Sequence, residues 1–235
     1  MSAAHRDAER RPTFLLAALE RRVLTAIARR LPRWVLPDHL TALGVLAALG
    51  IAAAYVLSNR DPVWLAAASA LLVVQWFGDS LDGTLARVRG IERPRYGFYL
   101  DHLTDALSTA LIGIGLGLSP HLLLFTGLAI VIAYLLLSIN VYLETHVFGV
   151  FELGYGRLGP TEARLGLIAL NVALLAGAPL GFHVAGLGVT ALDLAGLAGV
   201  AAMVAMLVAR ARRNLHALAA DEPSARRRVA AAGAR

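Results

Sequence analysis

The chain has 235 residues, of which 58% are hydrophobic, and its mean hydropathy of +0.65 is too high for a soluble domain of this size. It contains no cysteine, which excludes a disulfide framework, a thiolate metal site and a cysteine nucleophile. The formal net charge is +6, but the basic residues, which are all arginines, cluster between apolar segments rather than along one polar face. The composition therefore indicates an integral membrane protein with no nucleic-acid partner.

Residues 1–36 combine a polar, arginine-rich lead with the segment ERRVLTAIARRLPRW. Leu16, Leu19, Val23 and Ile27 recur at helical spacing, and the arginines of this segment lie largely on other faces. This pattern predicts an amphipathic helix lying in the membrane interface, with a solvated helix or a disordered arm as the alternative. The charged lead is too long for a signal peptide.

Six apolar segments follow, and each is predicted to cross the membrane as a helix. Their predicted bounds are Pro37 to Ser58, Val63 to Arg89, Tyr96 to Leu118, Pro120 to Glu144, Thr161 to Pro179, and Thr190 to Arg210. Asp38 or Thr41 is placed to cap the first of them. The predicted fold is an all-α integral membrane protein with six transmembrane helices and an N-terminal amphipathic interfacial helix.

Three parts of the chain follow from these bounds. Residues 1–36 form the N-terminal amphipathic, cytoplasmic segment, and residues 37–213 form the six-helix membrane domain. Residues 214–235 are a basic cytoplasmic tail, rich in alanine and arginine, that is expected to be disordered.

Four aspartates lie within the second and third predicted helices. Asp79 and Asp82 are three residues apart, and Asp101 and Asp105 are four apart, so each pair shares one helix face. At about 1.5 Å of rise per residue, Asp79 and Asp105 both lie about 15 Å in from the loop that joins their helices. The four carboxylates are therefore predicted to converge at one level of the membrane.

The free-energy cost of placing four negative charges close together in membrane helices has to be offset. An ionised carboxylate in a membrane helix costs roughly 2.5–3.5 kcal/mol, so four would cost on the order of 10 kcal/mol if nothing opposed their charge. Divalent cations are the simplest compensation, and an all-oxygen ligand set suits Mg²⁺, Mn²⁺ or Ca²⁺. Because Mg²⁺ usually acts together with substrate phosphates, the pattern indicates a metal site for phosphoryl chemistry.

The aspartates belong to a longer pattern, Asp79-x-x-Asp82-Gly83-x-x-Ala86-Arg87, nine residues, then Gly97-x-x-x-Asp101-x-x-x-Asp105. This pattern resembles, at all eight fixed positions, the signature of the CDP-alcohol phosphotransferase (CDP-alcohol phosphatidyltransferase) family. The resemblance extends from about Pro37 to Arg213 through the number and order of the apolar segments. It implies a homodimeric enzyme of phospholipid synthesis that moves a substituted phosphate from a CDP-linked alcohol to an acceptor hydroxyl and releases CMP.

The resemblance also implies roles for single residues. Asp79, Asp82 and Asp101 would be ligands of two divalent ions, Mg²⁺ or Mn²⁺, and Asp105 would be the general base on the acceptor hydroxyl with a further contact to metal. The remaining signature positions are candidates for substrate and nucleotide binding: Gly83, Ala86, Arg87 and Gly97. The structural alternative is helix packing for Ala86 and Gly97, and a positive anchor at the membrane surface for Arg87.

A second informative segment is Leu158-Gly159-Pro160-Thr161-Glu162, which resembles a Gly-Pro-x-Glu region of choline/ethanolamine phosphotransferases. Glu162 is therefore a candidate substrate-binding residue, with Glu144 as a weaker one, although Thr161 and Glu162 also suit a helix start. An acidic group favours an amino-alcohol head, whereas Arg157 and Arg164 favour an acceptor that carries phosphate. The donor thus stays open between CDP-diacylglycerol and CDP-choline or CDP-ethanolamine.

Arginine placement predicts the topology. The loops on one predicted side carry many arginines, and those on the opposite side carry only Arg60. By the positive-inside rule, both termini and the signature loop face the cytoplasm of a prokaryotic cell, in its inner membrane, where the arginines also contact membrane phospholipid.

An alternative from another class is a cation transporter or channel whose intramembrane carboxylates bind ions in transit. Such a site is expected near the bilayer midplane, often at broken helices in repeated halves. The aspartates here lie on two adjacent helices near one surface, and no internal repeat is evident. The transferase interpretation is therefore preferred.

Overall fold

The structure is a computed structural model that describes residues 17–148, 159–178, 181–184 and 187–222. The helices in these ranges are α1 (Ala17–Arg30), α2 (Pro37–Leu57), α3 (Trp64–Arg89), α4 (Pro94–Gly117), α5 (Leu124–Phe148), α6 (Pro160–Leu175) and α7 (Ala191–Asp221). A short antiparallel hairpin, β1 (Gly181–Val184) and β2 (Leu187–Thr190), precedes α7, with Gly181 opposite Thr190. The fold is therefore helical, as predicted, with one hairpin that the sequence did not suggest.

Helix α2 lies at the centre of the helix arrangement. It packs extensively on both α3 and α4, whereas within the described residues α3 and α4 have no extensive contact with each other. Helix α5 packs on α4 and on α7, while α6 and the amphipathic α1 both pack on α3. The two helices that carry the aspartates are thus held apart, side by side on α2.

Close approach of α2 and α3 depends on two small residues. A Cβ atom built on Gly78 would lie 2.5 Å from the carbonyl oxygen of Leu40 and 2.7 Å from the backbone nitrogen of Gly44. The two backbones therefore meet where no side chain intervenes, as small residues allow in membrane helix pairs. Gly115 of α4 similarly contacts Ala52 of α2.

Helix α1 is attached to the rest of the fold along one face. Leu24 and Ala28 are buried against Leu81 and Leu85 of α3, while Leu19 stays 62% exposed. The loop after α1 is fixed by Arg89, at the end of α3, whose guanidinium donates to the carbonyl oxygens of Leu31, Pro32, Arg33 and Val35. The predicted amphipathic helix is present, with one apolar strip against protein and another left exposed.

The loop between α3 and α4 is short because both helix ends are well specified. Helix α3 ends at Gly90, whose φ of 65° lies in the left-handed region that glycine adopts without strain. Helix α4 begins at Pro94, two residues before the predicted start, since the fixed φ of proline suits the first helical turn.

Several predicted helix ends need correction. Leu36, not Asp38 or Thr41, is the N-cap of α2, because its backbone N–H is satisfied by the ring of His39. Helix α6 ends at Leu175, before the predicted Pro179. Helix α7 continues through residues 214–221, which were assigned to the disordered tail; the leucines and alanines there are strong helix formers. Residues 223–235 of that tail lie outside the described residues.

Fewer helices have the length and hydropathy of a membrane span than the six that the sequence predicted to cross. Among the described residues, four helices are long and apolar enough to cross a membrane, namely α2, α3, α5 and α7. Helix α6 has 16 residues, about 24 Å, which is short for a span. Helix α4 has 24 residues, but its first half carries the polar signature. The count of six spans stays a prediction.

Two buried polar clusters join α5 to its neighbours. Glu144 accepts hydrogen bonds from Arg210 and Asn214 of α7 and from Asn140 of its own helix. At the other end of α5, Asp193 accepts from Thr126 Oγ1 at 2.7 Å and from the backbone N–H groups before α5 and α7. Asp193 is therefore structural, since it forms a capping box with Thr190 at the start of α7 and fixes that helix to α5.

The packing predicts opposite outcomes for two glycine-to-alanine variants. Gly78→Ala should lower the free energy of unfolding in detergent by roughly 1–3 kcal/mol, because the added Cβ would overlap the α2 backbone. Gly166→Ala in α6 is the matched control, because a Cβ there meets nothing within 4 Å and alanine favours the helix. Unfolding followed by intrinsic fluorescence measures both, and equal stability of the two variants would contradict the close approach of α2 and α3.

Candidate functional site

The four aspartates lie on α3 and α4, as the spacing predicts. Asp79 and Asp82 are in the second half of α3, and Asp101 and Asp105 are in the first half of α4. The chain reverses at Gly90, so the second half of one helix faces the first half of the next. The structure therefore brings the four carboxylates to the same end of the molecule.

A narrow cleft separates these helix halves. It is lined by residues of α2, α3 and α4: Thr41, Gly44, Val45, Gln75, Asp79, Thr104 and Ser108. Helix α2 forms its floor, because α2 packs on both signature helices, which have no extensive contact with each other. The cleft combines carboxylate, amide and hydroxyl groups with an apolar wall, which is the composition expected of a small-molecule site.

Each carboxylate contacts a polar partner in this conformation. Asp79 accepts a hydrogen bond from Arg164 of α6, whose Nε also donates to Gln75 Oε1 at 2.6 Å. Asp79 also lies close enough to Asp105 for the two carboxylates to interact electrostatically across the two signature helices. Two carboxylates this close are strongly repulsive at low dielectric unless a proton or cation lies between them.

The other two aspartates have partners on different elements. Asp82 Oδ2 accepts from Thr41 Oγ1 of α2 at 2.6 Å, which fixes it against the floor of the cleft. Asp101 Oδ2 lies 3.5 Å from Nδ1 of His102, whose ring stacks on Phe98 at 4.1 Å and meets Tyr142 of α5 edge-on. His102 therefore packs beside Asp101 and joins it to the aromatic side chains of α4 and α5.

The donor set fits a hard divalent cation. Asp79 lines the cleft together with the hydroxyl groups of Thr41, Thr104 and Ser108 and the side-chain amide of Gln75. Carboxylate, hydroxyl and amide oxygens are the ligands that hard divalent cations prefer. In the described part of the chain, no three Asp, Glu or His side chains are already arranged as a closed metal cluster. A metal site at the four aspartates therefore stays a prediction.

The smaller signature residues lie in open positions. A Cβ on Gly97 would meet nothing within 4 Å, so helix packing does not explain that glycine. A Cβ on Gly83 would lie 3.3 Å from the guanidinium of Arg87 on the same helix. Arg87 is exposed, and its guanidinium donates a hydrogen bond to Thr84 Oγ1 at 3.1 Å. Ala86 is half-buried. Open space at Gly97 leaves room for a ligand near the helix backbone.

Glu162 lies at the beginning of α6. Its Oε2 accepts a hydrogen bond at 2.9 Å from the backbone N–H of Gly159, the N-cap residue, so it stabilises the helix start. Glu144, the weaker candidate, lies in the buried cluster with Arg210. Arg157 falls outside the described residues.

The entrance to the cleft has its own ion pair. Arg93, in the loop before α4, pairs with Asp38 of α2 and lies 3.9 Å above the ring of Tyr96. The hydrogen bond to Asp38 raises the pKa of the Arg93 guanidinium, which is fully charged in any case. This pair joins the loop between the signature helices to the start of α2.

Three residues of the site were not assigned to it from the sequence. Thr41 was considered only as a helix cap, Arg164 only as a charge near an acceptor, and Gln75 not at all. A signal was present for Gln75, since an amide four residues before Asp79 in an apolar run shares its helix face. No signal in a single sequence pairs Thr41 or Arg164 with α3, because both contacts depend on tertiary packing.

Comparison with known proteins identifies the family of the chain. Residues 34–211 match the family model described as CDP-alcohol phosphatidyltransferase. Among solved structures, the chain is similar to Mycobacterium tuberculosis phosphatidylinositol phosphate synthase, in a crystal structure with CDP-DAG bound. The identity is 26% and the TM-score is 0.58, over 81% of this chain and 92% of that one. The family resemblance of the signature is therefore confirmed over most of the chain.

The donor set predicts a metal-dependent gain in stability. Mg²⁺ or Mn²⁺ should raise the melting temperature of the purified protein, because a ligand at 100 times its Kd stabilises the native state by about 2.7 kcal/mol. Asp79→Asn and Asp82→Asn should abolish most of this rise. The measurement is the melting temperature with and without metal, at constant ionic strength.

Asp61→Asn is the matched control for this experiment. Asp61 lies in the loop before α3, where its Oδ1 accepts from the backbone N–H of Val63 at 2.8 Å, away from the cleft. Its variant should keep the full metal-dependent rise. A rise that persists unchanged in Asp79→Asn and Asp82→Asn would place the cation elsewhere.

Proposed function

The chain belongs to the CDP-alcohol phosphatidyltransferase family, and from this premise we propose that it transfers the phosphatidyl group of CDP-diacylglycerol to the hydroxyl of a small polar alcohol. Membership makes it a membrane enzyme of phospholipid head-group transfer. In the proposed reaction the acceptor oxygen attacks the phosphorus that bears diacylglycerol. The bond from that phosphorus to the oxygen of CMP breaks, and CMP leaves with the bonding electrons.

The single observation that supports this donor is the similarity to a structure that holds CDP-DAG, at 26% identity over 81% of the chain. It favours CDP-diacylglycerol over the CDP-choline or CDP-ethanolamine that the Gly159-to-Glu162 segment suggested. The hydrogen bond from the backbone N–H of Gly159 to Glu162 stabilises the start of α6, which is a structural role for that segment. A substrate role for Glu162 is therefore no longer needed to explain its sequence.

Asp105 is proposed as the general base. It lies in the α4 half that faces the cleft, beside Asp79, and the acceptor proton would pass to one of its carboxylate oxygens. Members of this family generally depend on divalent metal. Asp79, Asp82 and Asp101, with Asp105, are proposed to hold Mg²⁺ or Mn²⁺, which when bound would neutralise the charge of the diphosphate.

Neighbouring groups of the cleft would bind and orient the substrates. Thr41 holds Asp82 in place through its 2.6 Å hydrogen bond, so that this carboxylate keeps one orientation. Arg164 supplies a positive charge next to Asp79, which suits a phosphate on either substrate. The open surface at Gly97 and Gly83, next to Arg87, is proposed to admit the cytidine diphosphate.

The setting of the enzyme is also a proposal. The arginine distribution supports an inner-membrane protein with both termini and the mouth of the cleft in the cytoplasm. We propose that the protein is a homodimer, because the resemblance of its signature to the family implies one. The cation-transporter alternative is not favoured, because the family match explains the carboxylates without ion transit.

The reaction predicts CMP release by the purified protein in lipid-containing micelles with Mg²⁺. CDP-diacylglycerol should support release with at least one of a panel of polar alcohols, with and without phosphate. Asp105→Asn should lower kcat by about 10²–10⁴-fold, the usual contribution of a general base. Chromatographic detection of CMP measures the rate.

Asp61→Asn controls for loss of a carboxylate outside the cleft and should keep the full rate. CDP-choline and CDP-ethanolamine, tested with diacylglycerol, serve as alternative donors. Release from these donors alone would refute CDP-diacylglycerol as the donor. A full rate in Asp105→Asn would refute the assignment of the base.

A further inference from the structure

Glu20 of α1 lies at a junction of three helices outside the carboxylate cluster. Its Oε1 accepts a hydrogen bond from Trp76 Nε1 of α3 at 2.7 Å and another from Thr161 Oγ1 of α6 at 2.9 Å. The side chain is half-buried, so water competes only partly for this oxygen. Hydrogen bonds to an ionised acceptor are stronger than neutral ones. One carboxylate oxygen therefore ties α1, α3 and α6 together.

Both donors lie one helical turn from residues of the site. Trp76 precedes Asp79 by three residues in α3, and Thr161 precedes Arg164 by three residues in α6. Residues three apart are neighbours on a helix surface, so a shift of Thr161 moves Arg164 with it. The junction thus lies directly beside the Arg164–Asp79 pair.

The beginning of α6 depends on polar contacts more than its later turns do. The apolar residues of α6 that pack against the core come later, at Leu167, Ile168 and Leu174. The fully buried Asn171, which bonds to Tyr55 and Ser69, also lies in that later part. Thr161 and Arg164, in the first turn and a half of α6, both donate hydrogen bonds to side chains of other helices. The Glu20 junction is therefore well placed to set where α6 begins.

We propose that Glu20 is a positioning residue of the transferase: it fixes the first turn of α6 on α3 and thereby holds Arg164 against Asp79 and Gln75. Glu20 does not touch the reacting atoms, and it acts through Arg164. The amphipathic helix α1, beyond its attachment to the membrane surface, is then a structural part of the site. The kinetic test of this inference rests on the proposed function, because it measures CMP release.

The kinetic test uses Glu20→Ala and Glu20→Gln in the CMP-release assay. Glu20→Ala should lower kcat/KM by about fivefold to tenfold, the effect of losing a hydrogen-bonded carboxylate. Glu20→Gln should stay within about twofold of wild type, because its amide oxygen can accept the same two bonds. Equal losses in both variants would overturn the proposal.

A second arm separates positioning from general stabilisation. In an Arg164→Gln background, Glu20→Ala should cause less than about a twofold further loss, since residues that act through one another are non-additive. If the two losses multiply independently, Glu20 does not act through Arg164 and the proposal fails. Melting temperatures of all variants identify any that lose the fold.

A third arm does not need activity. The chain has no cysteine, so Val73→Cys in α3 and Ala163→Cys in α6, both at exposed positions, provide two unique spin-labelling sites. Glu20→Ala should broaden the α3–α6 distance distribution, and Glu20→Gln should keep it as in the doubly labelled parent. An unchanged distribution in Glu20→Ala overturns the proposal. If the wild type releases no CMP from any donor, the proposed function fails and this distance measurement alone decides.

Discussion

The structure depends on one electrostatic constraint, the placement of four carboxylates within otherwise apolar helices. At roughly 2.5–3.5 kcal/mol for each uncompensated charge, the aspartates of α3 and α4 would oppose insertion unless every one had a partner. The partners come from elements far apart in the sequence: Thr41 of α2 for Asp82, and Arg164 of α6 for Asp79. The arrangement of α2 and α6 around the signature helices is thus the arrangement that supplies those partners.

Apolar packing provides the frame in which these contacts form. Glycine at position 78 lets the α2 and α3 backbones meet directly, and Gly115 does the same for α4 on α2. Because lipid is as apolar as leucine, such close backbone contact, rather than burial of large side chains, is what holds helices together in a membrane. Helix α2 therefore packs on both signature helices, and the narrow cleft that contains Asp79 is lined by residues of all three helices.

Much of the site, and less of its surroundings, could be predicted from the sequence. The spacing of Asp79, Asp82, Asp101 and Asp105 predicted both their helices and their common level, because helical periodicity is a local property. The cap of α2, the end of α6 and the hairpin before α7 were missed. The cap of α2 depends on the ring of His39 rather than on a polar side chain at the cap position. Helix α6 ends before Gly177, whose φ of 80° is left-handed, and not at the later Pro179.

Long-range partners were missed for a different reason. The contacts of Thr41 with Asp82, Arg164 with Gln75, and Glu20 with Trp76 and Thr161 join residues that are separated by 41 or more positions. No periodicity in one sequence encodes such pairs, and only the packing of α1, α2 and α6 on α3 reveals them. The packing also separates two of the predicted substrate-binding residues. Open space surrounds Gly97, whereas Glu162 stabilises the start of α6 through its hydrogen bond with Gly159.

The length of α7 has a practical consequence. Its 31 residues extend about 46 Å, whereas the hydrocarbon core of a bilayer is about 30 Å thick, so about 15 Å of continuous helix projects beyond it. The projecting part begins near Arg210, which is anchored to α5 by Glu144. A rigid fusion partner joined in helical register at this projection would have a fixed orientation relative to the membrane domain. Such a fusion would give a protein of only 24.9 kDa an alignment marker for electron cryo-microscopy.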